Sequence, residues 1–451
     1  MNRLRHRQPA AGAAAQSSPV RAFTAVLLVL ALAVTASAEV VVDRLPNGVR
    51  VVVEPGPWNR IVSISVLANA GSKHDPPALR GLARVTNDLL AYSTATRTSD
   101  EVCRIAACEW IDFGTTITED MAEVYASATA ERFEDALDLV SNAVTEPSFT
   151  GEDVAAVQVA TQREIERALD DPFERSYARL NELLFDGHPY AFPVRGTLEG
   201  IERITRSDVV GFHGERYVGH GVVVSIVGNV DPEEAVRLVR ERFAGLPAGV
   251  PPPEITYPIE RDQARTVELY KDVESGRVQI GYLAPPADDP DYPAVRVLAE
   301  VLGGGPASRL YSQLSPEGTG VAEVVGAFYT LRLEQGRVVA YATPTQIDLC
   351  VRLMKQVIEE LLTEPVGADE LERARNRIAG HFEMRGQRNL ERARRHAWNE
   401  LSGLGGDAHR RLVEAVLEVD VDDVREVAER YLVDPVIIIL RPGRSGRAGG
   451  I

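Results

Sequence analysis

The sequence predicts an α+β protein of two homologous domains, each a mostly antiparallel sheet with helices on one face. Three observations lead there. The chain of 451 residues exceeds one ordinary domain. Short β-branched runs alternate with long stretches of helical periodicity. One helical signature also occurs twice: Pro77-Ala78-Leu79-Arg80-Gly81-Leu82-Ala83-Arg84-Val85 and Pro293-Ala294-Val295-Arg296-Val297-Leu298-Ala299-Glu300-Val301 agree at six of nine positions, at an offset of 216. Each copy follows an apolar strand, which predicts a duplication. If helices cover one face of each sheet, the opposite faces are left free to enclose something.

The elements follow in order. Residues 1–38 carry Arg3, Arg5, Arg7 and Arg21 with no acid before Glu39, then an apolar run Ala22–Val34 and Ala36-Ser37-Ala38. That reads as a secretory signal peptide cleaved near Ala38, with a mitochondrial transit peptide as the alternative. The run is too short to serve comfortably as a membrane span, so no span is expected in the mature, exported chain. A first domain is expected over 39–245. Val40–Val53 reads as a strand pair about Leu45-Pro46-Asn47-Gly48, because Asn and Gly both tolerate positive φ. A strand over Arg60–Ala70 follows, then helical periodicity from Pro77 and a helix Asp100–Trp110. Further helices are expected over Glu152–Leu169 and Ser176–Leu184, then a buried strand Val222–Val227 and a helix Pro232–Phe243.

Five prolines between Leu246 and Pro258 predict a stiff linker over 246–262. The second domain is expected over 263–443, opening with a strand Arg277–Leu283, and 444–451 as a flexible tail. Gly303-Gly304-Gly305-Pro306 follows a helix and lacks Gly-Lys-Ser/Thr, so it reads as a helix-ending turn and not a phosphate loop.

Charge narrows the function classes. The formal charge is 49 − 66 = −17, and without the first 38 residues 45 − 66 = −21. Such a chain lacks the basic face that nucleic acid requires. Three cysteines do not make a disulfide framework. Cys103 and Cys108, five apart on a helix, point in different directions and are expected as free thiols. His213 and His220 read as packing or surface residues. The basic run Glu391-Arg392-Ala393-Arg394-Arg395-His396 reads as an ion-paired helix face.

Leu45-Pro46-Asn47-Gly48, Ala70-Gly71-Ser72, Gly81-Leu82-Ala83, Asp171-Pro172, Pro189-Tyr190 with Gly196-Thr197, Gly228-Asn229-Val230 and Ser308-Arg309-Leu310-Tyr311 together resemble the pitrilysin/insulinase-type metallopeptidases. The resemblance covers both halves and extends to the non-catalytic subunits of bacterial heterodimers, of mitochondrial processing peptidase and of the bc-complex core proteins. It implies a clamshell of two homologous domains. It also implies H-x-x-E-H directly after Gly-Leu-Ala, where two His share a helix face to hold zinc and the Glu activates water. Here those positions read Arg84-Val85-Thr86-Asn87-Asp88, and only the remaining ligand position keeps its carboxylate, as Glu164. A guanidinium has no lone pair to give a metal. The expectation is an Arg84–Asp88–Glu164 ion cluster in place of zinc, against an alternative in which Arg84 and Asp88 simply face solvent as an i,i+4 pair.

The Arg and Tyr that the second domain of active relatives can supply fall near Ser315 and Glu323, so that contribution is not expected either. The stretch from Gly114 through Tyr125, with Thr115, Thr116, Ile117 and Thr118, corresponds to the edge strand on which active relatives pair extended peptide. The resemblance therefore implies a pseudo-peptidase subunit with no cofactor of its own. Its expected partner is a zinc-bearing homologue, with which it forms a heterodimer shaping a peptide chamber. A metallopeptidase using Asp88 and Glu164 as unorthodox ligands, or a stand-alone peptide-binding protein, are the alternatives.

Overall fold

The computed structural model describes residues 40–57, 59–253, 259 and 263–443. The expected signal peptide over 1–38, part of the expected linker (254–258 and 260–262) and the expected tail over 444–451 lie outside the described residues.

The first half runs β1 (Val41–Arg44), β2 (Arg50–Pro55), β3 (Ile61–Ala68), α1 (Leu82–Leu89), α2 (Ser99–Cys108), β4 (Asp112–Ile117), β5 (Ala122–Thr129), α3 (Phe133–Thr145), α4 (Gly151–Asp170), α5 (Pro172–Leu184), α6 (Leu198–Arg203), α7 (Arg206–Arg216), β6 (Val222–Gly228) and α8 (Pro232–Arg242). The second runs β7 (Arg265–Lys271), β8 (Arg277–Ala284), α9 (Tyr292–Gly303), α10 (Arg309–Leu314), β9 (Ala322–Thr330), β10 (Gly336–Pro344), α11 (Ile347–Thr363), α12 (Ala368–Gly386), α13 (Asn389–Leu401), α14 (Ala408–Glu418), α15 (Val421–Tyr431) and β11 (Val436–Pro442).

The sheets are ordered β1-β2-β6-β3-β5-β4 and β7-β11-β8-β10-β9. Without β1 the two orders correspond strand for strand. In each, one pair alone is parallel, β2 with β6 and β7 with β11. Strand β8 repeats β3 at both ends with the offset of 216 read from the sequence (61 to 277, 68 to 284). The fold is thus α+β and duplicated.

The expectation of free opposite faces is corrected. Successive residues of a strand point to opposite faces, and in the central strands both sets are buried. In β6, Val222, Val224 and Ile226 join the main core of the first half, whereas Val223 packs with Val52, Leu67 and Met121 against Ala397 and Trp398 of α13. In β11, Ile437 and Ile439 face the core of the second half, whereas Val436 and Ile438 meet Leu180 and Leu184 of α5 together with Phe185. Each half therefore lends one helix to the far face of the other's sheet. Each large side chain so buried contributes about 2 kcal/mol.

Local chemistry explains where elements begin. Helix α5 starts at Pro172, earlier than the periodicity predicts, because the Asp171 carboxylate accepts from Glu174 N at 2.8 Å and proline suits the first helical position. Helix α1 starts at Leu82 and not near Pro77. Gly81 adopts φ +107°, and buried Asp75 accepts from both Gly81 N and Ala83 N at 2.7 Å. In the β1–β2 turn only Gly48 has positive φ (+96°). Asn47 serves instead through its amide, which donates to Phe243 O and Leu246 O. The first part of the linker is pinned, since Gly219 N donates to Pro247 O and His220 N to Gly249 O. Cys103 and Cys108 are exposed free thiols and Cys350 a buried one. Among the described residues no helix is long and apolar enough to cross a membrane.

His213 carries a pH dependence. Its ring stacks on Tyr217 at 4.7 Å and meets Phe149 edge-on, with Nε2 donating to Val144 O at 3.0 Å. Burial pushes its pKa down from 6.5 to about 4. The fold thus favours the neutral ring, so its contribution is whole above the unfolded value and lost as pH falls from there toward about 4. Between neutral pH and about pH 5 this one residue is expected to cost about 2 kcal/mol. Urea denaturation at the two pH values should show a smaller loss in His213→Phe; equal losses in the two proteins would contradict the assignment.

Candidate functional site

Helix α1 presents Arg84 and Asp88 one turn apart, and α4 brings Glu164 to the same place. Arg84 Nε lies 2.5 Å from Asp88 Oδ2, and Arg84 Nη2 lies 3.1 Å from Glu164 Oε2. Thr115 of β4 adds its hydroxyl toward Asp88 Oδ1 at 3.4 Å. Burial pushes the Asp88 carboxyl up, and the guanidinium beside it restrains that rise. Burial alone would lower Arg84, but Asp88 and Glu164 outweigh it and hold the guanidinium above its ordinary value. The three charges satisfy one another as a planar donor between two carboxylates.

Asn87 is turned away from this cluster's chemistry. It is wholly buried, donates through Nδ2 to Thr116 O at 2.9 Å and accepts from the Tyr217 hydroxyl at 3.3 Å. An amide held this way has no basicity to activate water. Zinc does not fit the residues present, because Arg84 fills the space between the two carboxylates with a cation that carries no lone pair. Among the described residues no group of three or more His, Cys, Asp or Glu side chains gathers as a metal site needs.

The segment expected as an edge strand divides. Strand β4 ends at Ile117 and lies at the sheet edge, with Thr115, Thr116 and Ile117 on it. Thr118 lies in the following turn, where its hydroxyl accepts from Asp120 N and Met121 N. Residues 122–125 belong to the interior strand β5. The reason is the antiparallel hairpin, which reverses the chain at 118–121.

Beside the cluster lies a cavity of about 850 Å3 between the two halves. Arg84 and Glu164 line it together with Phe173 and Tyr177 of α5 and Phe328 of β9. Several of its charged groups are paired internally: Arg195 with Glu174 at 2.8 Å, and Arg332 with buried Glu119 at 2.6 Å. Arg337 donates to Asn181 Oδ1 at 2.8 Å and lies over the Tyr177 ring. Arg332 and Arg337 escaped the sequence reading, which looked for a second-half contribution at Ser315 and Glu323. Ser315 is buried and Glu323 is exposed on β9. The alternation of Gly336–Pro344 was the available signal, since it sets Arg337 on the strand face toward α5. Arg309 is engaged elsewhere, with Glu370 at 2.9 Å.

Buried polar groups tie the halves together around this cavity. Lys73 reaches Glu334 at 3.0 Å, His188 Nε2 meets the other oxygen of Glu334 at 3.0 Å, and Asp120, which also accepts from Tyr190, accepts from Leu333 N at 3.2 Å. The basic run on α13 is ion-paired through Arg392 and Arg394, but with the other half: Arg392 with Glu54 at 2.7 Å and Arg394 with Glu123, while His396 Nε2 lies 2.7 Å from Glu54 and Arg395 forms no ion pair with the described residues.

The fold is a duplicated sheet-and-helix scaffold with a cavity between its halves. The family model described as Insulinase (Peptidase family M16) matches residues 50–198, and that described as Peptidase M16 inactive domain matches residues 203–378. The chain is 31% identical over 347 residues to an uncharacterized zinc protease of Mycobacterium leprae, covering 76% of this chain and 77% of that one. It is 27% identical to an uncharacterized zinc protease of Mycobacterium tuberculosis, covering 86% and 90%. In fold it is similar to a protease from Helicobacter pylori (TM-score 0.84, 20% identity, covering 90% of this chain and 100% of that one). A peptidase M16 inactive domain from Pseudomonas fluorescens is similar too (TM-score 0.83, 22% identity, covering 90% and 98%). The chain belongs to the insulinase family of peptidases, M16. The inactive-domain model matches the second half for the most part, so its name does not bear on Arg84 and Asp88.

Proposed function

We propose that this chain is a non-catalytic subunit of an exported zinc-peptidase complex, pairing with a homologue that carries H-x-x-E-H and shaping a chamber for extended peptide. The observation that carries this reading is Arg84, seated between Asp88 and Glu164 where the family holds zinc. Export rests on the arginine-rich, apolar first 38 residues. Any zinc belongs to the partner. The exposed edge of β4 and the adjoining cavity lie within one chain, which favours stand-alone peptide binding as the second reading.

The test is purification of the mature chain alone and after coexpression with an H-x-x-E-H homologue from the same genome. The expected result is a stable complex that cleaves peptide, while the chain alone does not. Cleavage by the chain alone, abolished by a chelator, would overturn the reading. Peptide binding by the chain alone, with no complex formed, would favour the second reading.

A further inference from the structure

Strand β9 separates the chamber from a second cavity of about 740 Å3, because its alternate residues face opposite ways: Phe328 lines the first and Tyr329 the second. The two cavities share part of the duplicated scaffold, although the first is lined by both halves and the second by the second half. Helices α4 and α5 line the first, and their equivalents α12 and α13 line the second.

Their charge pairing differs in part. Arg84, Arg195 and Arg332 in the first cavity each have a carboxylate partner. In the second, Arg411 pairs with Asp407, whereas Arg296, Arg385 and Arg395 form no ion pair with the described residues. Arg296 donates only to the Tyr292 hydroxyl and lies over the Phe382 ring at 4.8 Å. Its Nε and the Nε of Arg395 are buried without an acceptor. Asn399, only 4% exposed, lines the same cavity, and its Nδ2 is likewise buried without an acceptor. Neither aspartate there is ion-paired with these arginines: Asp289 accepts from Asp291 N and Asp288 is exposed. Burial and the neighbouring Arg395 and His396 push His409, on the same wall, down to about 4. A chain of net charge −17 thus holds a pocket in which three arginines lack a carboxylate in contact, with Glu300 and Glu54 acting on Arg296 and Arg395 from farther away.

We propose that this second cavity is a binding site for a small multivalent oxyanion, a phosphate ester or a polycarboxylate, held by Arg296, Arg385 and Arg395 with the Asn399 amide donating. Guanidinium forks match such oxygens in pairs, and buried donors without partners are what an acceptor ligand satisfies. The site is independent of the peptide-chamber reading, because none of these residues lines the first cavity.

Isothermal titration of the mature full chain with pyrophosphate, and separately with citrate, tests it. Saturable binding of either probe at one per chain is expected, and the preferred probe identifies the source of the oxyanion. The double variant Arg296→Gln/Arg395→Gln is expected to weaken binding about tenfold or more, the scale of one lost charge-assisted contact. Arg385→Gln, at an exposed position, should weaken it about threefold, so a folding failure of the double variant does not rescue the proposal. Arg237→Gln, on the remote surface of α8, should leave it unchanged. Absence of saturable binding by both probes overturns the proposal, as does binding that Arg385→Gln leaves intact.

Discussion

Glu123→Ala is expected to lower the unfolding free energy by about 3 kcal/mol or more, the largest loss from any single side chain described above. Glu123 is 3% exposed on β5 and joins three strands to the borrowed helix. It accepts from Ser65 of β3 and Thr116 of β4, each at 2.6 Å, and from Arg394 Nε of α13 through both oxygens at 2.9 Å. Removing one member of a buried charged pair costs about 3–5 kcal/mol, because the other charge is left uncompensated. Arg394 retains 31% side-chain exposure, and the water it reaches places the figure at the lower end. Glu123→Gln keeps the shape and an acceptor oxygen and should lose roughly half as much. Urea denaturation midpoints measure both. A loss under about 1 kcal/mol for the alanine variant would show that α13 does not depend on this contact.

The triple variant Arg84→His/Asn87→Glu/Asp88→His is expected to gain a zinc site of micromolar affinity or tighter. Histidines at 84 and 88 stand on the helix face that already meets Glu164, so three ligands converge with a fourth position open. Peptidase activity should lag far behind metal binding. Position 87 is fully buried against Thr116 O, and a carboxylate there meets a carbonyl oxygen where Asn87 now donates. Titration against a competing chelator measures the gain. Failure to bind zinc in a folded triple variant would mean that α1 and α4 are too far apart or misdirected for the family site.

How much of this was legible in the sequence depends on the range of the interaction. The duplication was legible, because Pro77–Val85 and Pro293–Val301 repeat a local pattern, and β3 and β8 keep the same offset in space. The ion cluster was legible through the resemblance, which supplied the position of Glu164. Where α1 begins was not, because it is set by Asp75 and by the left-handed Gly81 and not by periodicity. The exchange of α5 and α13 was hidden as well. Amphipathic helices declare that one face is buried but not against which sheet. The acids that anchor the exchange, Glu54 and Glu123, sit in strands where alternation assigns acids to solvent. The second cavity was invisible for the same reason: Arg296 and Arg395 lie about a hundred positions apart on helices with ordinary polar faces.

The proposed loss of the zinc site rests on Arg84 standing in place of the metal. The most direct measurement is the zinc content of the purified unaltered chain after exposure to zinc and exhaustive dialysis, with the triple variant treated alongside. The unaltered chain is expected to retain no stoichiometric zinc while the variant retains one per chain. Zinc held at one per chain by the unaltered protein, and removed only by a strong chelator, would contradict that loss.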